Sequence, residues 1–320
     1  MAVRRTLVFS VLSALVVASC AGPGQLFGGG PKKPTEGDAI VVAAALYPIA
    51  EMVETIGRAY IKVVNLTPPG TDAHGVELSA QQLEQLQQAK ITFYLGENYQ
   101  PAVQKSIASL KVPAVNLLDS LDLQTMTNDP HAHEEPSGSD AHSSEDKDPH
   151  VWLDPALMID MARVVANNLT QLQPKLADQF ASNAAEYIDS LEVLGNEIDT
   201  RFTTCASRTL ITAHYSFGYF ARRANLEVYS VADINPDEQL SAKKLEELAS
   251  VVREKKVSTI FYEELVSTDL ARTLAEKAGV TTDTLNPLEG MSQKDIGAGK
   301  SYLSVQRDNI KKIALALSCA

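Results

Sequence analysis

Histidine is scarce in this 320-residue sequence, with six residues, and cysteine scarcer, with three. No CxxC pair occurs, which excludes the thiolate zinc-ribbon and zinc-finger classes. No HExxH occurs either, which removes the helix-borne signature of zinc peptidases. Past the first twenty residues no apolar run approaches the roughly 20 residues that a membrane-spanning helix needs. Basic residues are in deficit, 28 Lys and Arg against 40 Asp and Glu, for a formal charge of -12. That balance argues against a nucleic-acid partner and suits a surface that attracts cations. There is no internal repeat, and Trp152 is the only tryptophan.

The N-terminus reads as an export signal. Arg4 and Arg5 form a basic n-region and Leu7 to Ala18 an apolar h-region too short to span a bilayer. Val17-Ala18-Ser19-Cys20 resembles a bacterial lipobox, which makes Cys20 the expected lipid-modified first residue of the mature chain. Residues 20–38 are rich in Gly and Pro and lack periodicity, as a flexible tether would be. Losing Arg4 and Arg5 with residues 1–19 makes the charge more negative still. The remaining cysteines, Cys205 and Cys319, are an even pair in a disulfide-permissive compartment; they either bond to each other or stand as two unrelated buried thiols.

From Ala39 the pattern is α/β. AIVVAAALYP reads as a buried strand, PIAEMVETIG as a helix ending at Gly57, and YIKVVNLTP as an alternating strand that stops at Pro68-Pro69-Gly70. Ser79 is a plausible N-cap for the next helix, and ITFYLG and VPAVNLL continue the alternation, which implies parallel βαβ units in residues 39–172. Residues Thr127 to Lys147 have the composition of a solvated acidic loop. Pro155 can open a helix to about Leu172, and Lys175 to about Phe202 forms a longer one, a rigid strut within residues 173–204. The strands RTLITA, LEVYSV, VSTIFY and TTDTLNP alternate with helices through residues 205–320, one of them with Ser267 as N-cap and Gly279 as stop.

Three histidines stand alone at strand-to-loop junctions, where open α/β sheets bind ligands. They are His74 in PPGTDAHGVE, His150 in DPHVWLDP and His214 in LITAHYSFGYF. Neutral imidazole is a preferred zinc ligand, usually oriented by an outer carboxylate, so the three point to a metal site in a cleft between two lobes. Asp148 and Asp154 flank His150 and are candidates for that outer role or for helix capping. Phe217 and Phe220 have the spacing of core residues. His131, His133 and His142 in the acidic loop are candidates for auxiliary metal capture, with an ordinary insertion as the alternative.

The lipobox, PPGTDAH, the acidic His-containing loop, DPHVWLDP, TAHYSFGYFARR and LNPLEG occur in the order seen in cluster A-I substrate-binding proteins of metal ABC transporters, and the chain resembles their zinc-binding type over nearly all of its mature length. Ala73 and Leu78 replace prolines common in the first motif of that family. The resemblance implies two (β/α)4 lobes joined by a long helix, and ligands at His74, His150 and His214. Manganese and iron members typically have Glu in place of the third histidine, so His214 favours zinc. The fourth ligand implied is Glu289; water, Asn286, Asp283 and Glu263 are the alternatives, Asn286 standing where many zinc members have Asp.

The function implied is that of an extracytoplasmic lipoprotein, tethered to the bacterial cell membrane, that captures Zn²⁺ and delivers it to an ABC permease as a monomer. A manganese or iron carrier of the same fold and a surface adhesin are the alternatives. A secreted zinc hydrolase is disfavoured, because three imidazoles and a carboxylate saturate a tetrahedral ion and leave no open position. The chain is thus expected not to be an enzyme.

Overall fold

A computed structural model of the chain describes residues 39–124, 147–232, 242–265 and 268–320. The leader, Cys20, the tether, residues 127–146 with His131, His133 and His142, and Ser267 lie outside the described residues.

The first half carries β1 (Ile40–Ala44), α1 (Tyr47–Gly57), β2 (Ile61–Asn65), α2 (Ala80–Gln88), β3 (Thr92–Tyr94), α3 (Pro101–Leu110) and β4 (Ala114–Asn116). Its four strands form a parallel sheet in the order β2-β1-β3-β4, with Val42 opposite Val63 and Phe93 opposite Val115. The first strand is shorter than its apolar run suggests. Pro48 sits in the first turn of α1, where its missing N–H costs nothing, so the chain turns helical at Tyr47. Ser79 caps α2 in a reciprocal capping box with Gln82.

Two helices follow, α4 (Pro155–Leu172) and α5 (Ala177–Arg201), separated by a 3-10 turn over Pro174–Leu176. The 25 residues of α5 extend about 37 Å at a rise of about 1.5 Å each. It packs on α1 and α4 on one side and on elements of the second half on the other. Phe180, Tyr187, Leu191, Leu194 and Ile198 form its buried stripe.

The second half comprises β5 (Thr209–Thr212), α6 (Gly218–Ala224), β6 (Glu227–Ser230), α7 (Ala242–Glu254), β7 (Thr259–Glu263), α8 (Asp269–Ala278), β8 (Thr281–Leu285), α9 (Gln293–Gly297) and α10 (Tyr302–Ala316). Its strands form two parallel pairs, β5 with β6 and β7 with β8, and β5 lies beside β7. A single apolar cluster runs through both halves, joining Val42, Phe93, Trp152, Phe180, Phe220, Leu285 and Tyr302. A smaller one, with Ile211, Leu248, Ile260 and Leu274, fills the space under α7 and α8. Phe217 and Phe220 are fully buried and meet edge to face, as core residues do.

Cys205 and Cys319 are joined by a disulfide that ties the end of α10 to the chain leaving α5, reinforced by a bond from Ala320 N to Thr204 O at 2.9 Å. The bridge spans a sequence separation of 114 residues, a loop whose closure contributes about 4–5 kcal/mol by restricting the unfolded chain. Cys205→Ser with Cys319→Ser is therefore expected to lower the calorimetric melting temperature by several degrees; a transition that does not move would contradict this.

Candidate metal centre

Four segments deliver the site: those of His74, His214 and Glu289 follow β2, β5 and β8, whereas His150, expected at a strand end, opens a 3-10 turn before α4. His74 lies between β2 and α2. Thr67 N bonds Asn65 Oδ1 at 3.1 Å as β2 ends, and Thr71 N bonds Pro68 O at 3.1 Å across a turn with Gly70 at a φ of 82°. The buried Gln100 amide then holds the loop from beneath, donating to Thr67 Oγ1 at 2.9 Å and to Ala73 O at 3.2 Å. His74 N bonds Asp72 Oδ1 at 2.9 Å, which fixes the last turn.

His150 precedes a single 3-10 turn, and one carboxylate orients it completely. Asp148 Oδ1 accepts from its backbone N at 2.9 Å and from its ring Nδ1 at 2.7 Å. Asp154, the other flanking acid, caps α4 by accepting from Ala156 N at 2.9 Å. The two roles weighed for these aspartates are thus divided between them. His214 follows β5 and is held the same way, its Nδ1 on Glu263 Oε1 at 2.7 Å. Glu263 is the last residue of β7, beside β5, so neighbouring strand ends supply ring and carboxylate together. A proton held on each Nδ1 by a carboxylate leaves the Nε2 lone pair free to coordinate.

Glu289 enters from the loop after β8. Asn286 Oδ1 accepts from Leu288 N at 2.8 Å, and Leu288 takes a φ of 64° while fully buried, so the chain reverses and Glu289 faces the histidines. α10 holds that turn in place: Asn309 Nδ2 donates to Asn286 O at 2.7 Å and Asn309 Oδ1 accepts from Asn286 N at 3.1 Å. Asn286 therefore spends its amide oxygen on the turn. Asp283 is half-exposed and lies 3.4 Å from Lys312 Nζ. Glu263 serves His214 Nδ1, so of the carboxylates weighed as fourth donor Glu289 is the one brought into the group with the three Nε2 atoms.

The four donor atoms lie within 4.8 Å of one another. Glu289 Oε1 is 2.9 Å from His214 Nε2, 3.0 Å from His150 Nε2 and 3.4 Å from His74 Nε2, and the last two nitrogens are 3.4 Å apart. A tetrahedral zinc ion with ligands at about 2.0–2.1 Å would place donors about 3.3 Å apart. The donor set is thus of the right kind and nearly at the right spacing for such an ion. Glu289 Oε2 is buried and, among the described residues, lacks a hydrogen-bond partner. His150, His214 and Glu289 are almost wholly buried, whereas the His74 side chain retains 10% exposure and marks the solvent side. An acidic recess lined by Asp72, Glu263, Glu264 and Glu289 opens beside the group.

Burial disfavours charge on every one of these groups, and at His74 it prevails, holding the imidazole below its usual pKa despite Glu289. At His150 burial is outweighed by Asp148 and Glu289, and the pKa is raised. His214 is likewise desolvated, yet Glu263 and Glu289 push it well above the usual histidine range. Glu289 is fully buried, but the imidazoles around it, His214 foremost, hold its carboxyl well below the ordinary carboxylate range. Burial and the nearby Glu289 push Asp72 up to about 7.

Sequence reasoning did not assign Tyr99, whose ring stands edge-on to His74 at 4.7 Å and also approaches His150 and Trp152. Nothing in its sequence context marks it. Trp152 Nε1 donates to Pro287 O at 2.6 Å, and Gly70 N donates to Met291 O at 2.8 Å, so the loops bearing His150 and His74 both lean on the loop bearing Glu289.

The family described as zinc-uptake complex component A, periplasmic, matches residues 42–316. The zinc-binding protein AdcA of Streptococcus pyogenes is 30% identical over 291 residues, which are 88% of this chain and 56% of that protein, so the chain spans about half of its length. The high-affinity zinc uptake system protein ZnuA of Bacillus subtilis is 29% identical over 299 residues, 92% of each chain. Among solved structures, the Zn(II)-bound ZnuA-like domain of Streptococcus pneumoniae AdcA superposes with a TM-score of 0.71 at 30% identity, covering 88% of this chain and 99% of that one. The laminin-binding protein of Streptococcus agalactiae, described as having adhesin and metal-transporting activity, gives a TM-score of 0.75 at 25% identity, covering 87% of this chain and all of the other.

Proposed function

The chain belongs to the family of zinc-uptake complex component A proteins, and from that premise we propose that it captures Zn²⁺ outside the cytoplasm and hands it to an ABC permease. The ion is cargo, held by His74, His150, His214 and Glu289. The observation that carries this reading is the convergence of three Nε2 atoms and one carboxylate oxygen within 4.8 Å of one another, the carboxylate 2.9 to 3.4 Å from each nitrogen. Such a set satisfies zinc without the open position that a catalytic ion requires, in keeping with a binding component rather than an enzyme. Manganese and iron prefer harder, oxygen-rich shells, which this group lacks. Anchoring through a lipid on Cys20, a tether over residues 20–38, and lobes over 39–172 and 205–320 joined through 173–204 complete the proposal. Metal analysis of the purified protein tests it directly: one equivalent of tightly held zinc is expected, and none after exhaustive chelation.

The pH dependence follows from the local electrostatics. Zinc needs each Nε2 deprotonated, so any proton resident there must leave when the ion binds. His214 and His150 hold protons more tightly than ordinary histidines, so competition is already felt near neutrality and grows as pH falls. Displacing two protons weakens binding up to about 100-fold per pH unit. Affinity measured by chelator competition should fall steeply from about pH 7 to 5, a window that opens above the usual histidine pKa of about 6.5 because both imidazoles are raised. A flat profile would contradict a histidine-based site.

A further inference from the structure

α6 starts four residues after His214 and lies against the segment that carries His150. Tyr219 Oη donates to the main-chain carbonyl of Asp148 at 2.8 Å and accepts from Gln124 N at 3.0 Å. One helical turn on, and so on the same face, Arg223 Nη1 bonds Asp154 Oδ1 at 3.0 Å while its Nη2 bonds Asp199 Oδ2 of α5 at 2.7 Å. The helix therefore grips the His150 segment at both ends. Two close approaches accompany the grip: a Cβ at Gly218 would stand 2.6 Å from Asp148 Oδ2, and one at Gly195 of α5 would stand 2.7 Å from Arg223 Nη2. The Arg223 and Asp154 side chains are only 21% and 14% exposed, so their bond is shielded from water and salt.

We propose that Tyr219 and Arg223 are positioning residues for the metal, fixing His150 and His214 as one rigid pair before the ion arrives. His74 and Glu289, on two other loops, complete the shell. The proposal rests on the zinc reading above and adds a source for its geometry. The His150 and His214 rings stand 5.3 Å apart, centroid to centroid, and α6 sets that spacing through contacts that involve neither ring. A pair held in one fixed relation suits the compact tetrahedral shell of zinc and resists spreading to the wider, higher-coordinate shell that manganese prefers. The guanidinium fork meets Asp154 and Asp199 with separate nitrogens held at a fixed spacing, a geometry the single ammonium of lysine does not reproduce.

The test uses the full chain with Arg223→Lys and Tyr219→Phe. Zinc and manganese affinities, the visible absorption of the cobalt(II)-loaded protein and the melting temperature of the metal-free protein are measured together. Arg223→Lys is expected to weaken zinc binding about 10-fold, the low end of the cost of losing a group bonded directly to a ligand because Arg223 acts one contact further out, with manganese binding little changed and tetrahedral cobalt bands reduced. Tyr219→Phe should act in the same direction by a smaller factor. Should Arg223→Lys fail to fold, Asp154→Asn keeps a good helix cap while removing the charge that Arg223 meets, and carries the same expectation. Variants with the parental zinc affinity and cobalt spectrum, whatever their melting temperature, would overturn the proposal and leave α6 a purely structural support. A parent protein that binds no zinc would instead overturn the functional reading itself.

Discussion

Alanine at His74, His150 or His214 is expected to weaken zinc binding by two to three orders of magnitude. A complete four-ligand zinc site is worth about 10–16 kcal/mol, so each donor accounts for about 2.5–4 kcal/mol, and about 1.4 kcal/mol is a factor of ten. The three variants should differ in what they do to the metal-free fold. His214→Ala strands Glu263, which is 3% exposed, and His150→Ala leaves Asp148, which is 1% exposed, with the backbone N but without the ring bond. A buried carboxylate that loses its partner is costly, so both should melt earlier than the parent. Among the described residues His74 has no such outer carboxylate on its ring, and it is the least buried of the three. His74→Ala should therefore lose zinc affinity with the smallest change in melting temperature. Calorimetric titration and thermal denaturation on the same samples check both parts, and near-parental affinity in any variant would remove that residue from the site.

Glu289→Gln should lower zinc affinity by about 100-fold or more, because the amide replaces an anionic donor that also offsets the charge of the ion. Its carboxylate is 2% exposed and touches all three imidazoles. Asn286→Ala should do less. It removes the bond to Leu288 N that holds the turn at a φ of 64°, which loosens the aim of Glu289 but leaves the anion present. Equal and small effects of the two substitutions in a zinc competition assay would sink the assignment of Glu289.

The histidines were legible because chemistry and position coincide: each is an isolated imidazole at a junction where a strand or a turn hands over to a loop. Asp148 was legible only as one of two flanking acids: it and Asp154 were candidates for orienting a histidine or capping a helix, and the sequence did not choose between them. Glu263 was harder, for it meets His214 only through the adjacency of β5 and β7, 49 residues apart in sequence. It entered the sequence reading as a minor ligand candidate and is instead the orienting carboxylate of His214. Asn286 occupied a position where the family pattern suggests a ligand, yet its amide oxygen caps a turn. Arg223 carried no role in the sequence reading, because its two carboxylate partners come from segments 69 and 24 residues away. Periodicity located most helices and strands to within a few residues. It did not fix where β1 yields to α1, because an apolar run reads alike in either state until Pro48 decides it.

The most direct test of the account is a crystal structure of the zinc-loaded protein with anomalous data collected above and below the zinc edge. It should show one peak of zinc in the cleft, about 2.0–2.2 Å from His74 Nε2, His150 Nε2, His214 Nε2 and Glu289 Oε1. A peak elsewhere, or one in the cleft whose fourth ligand is water while Glu289 stands away, would contradict it.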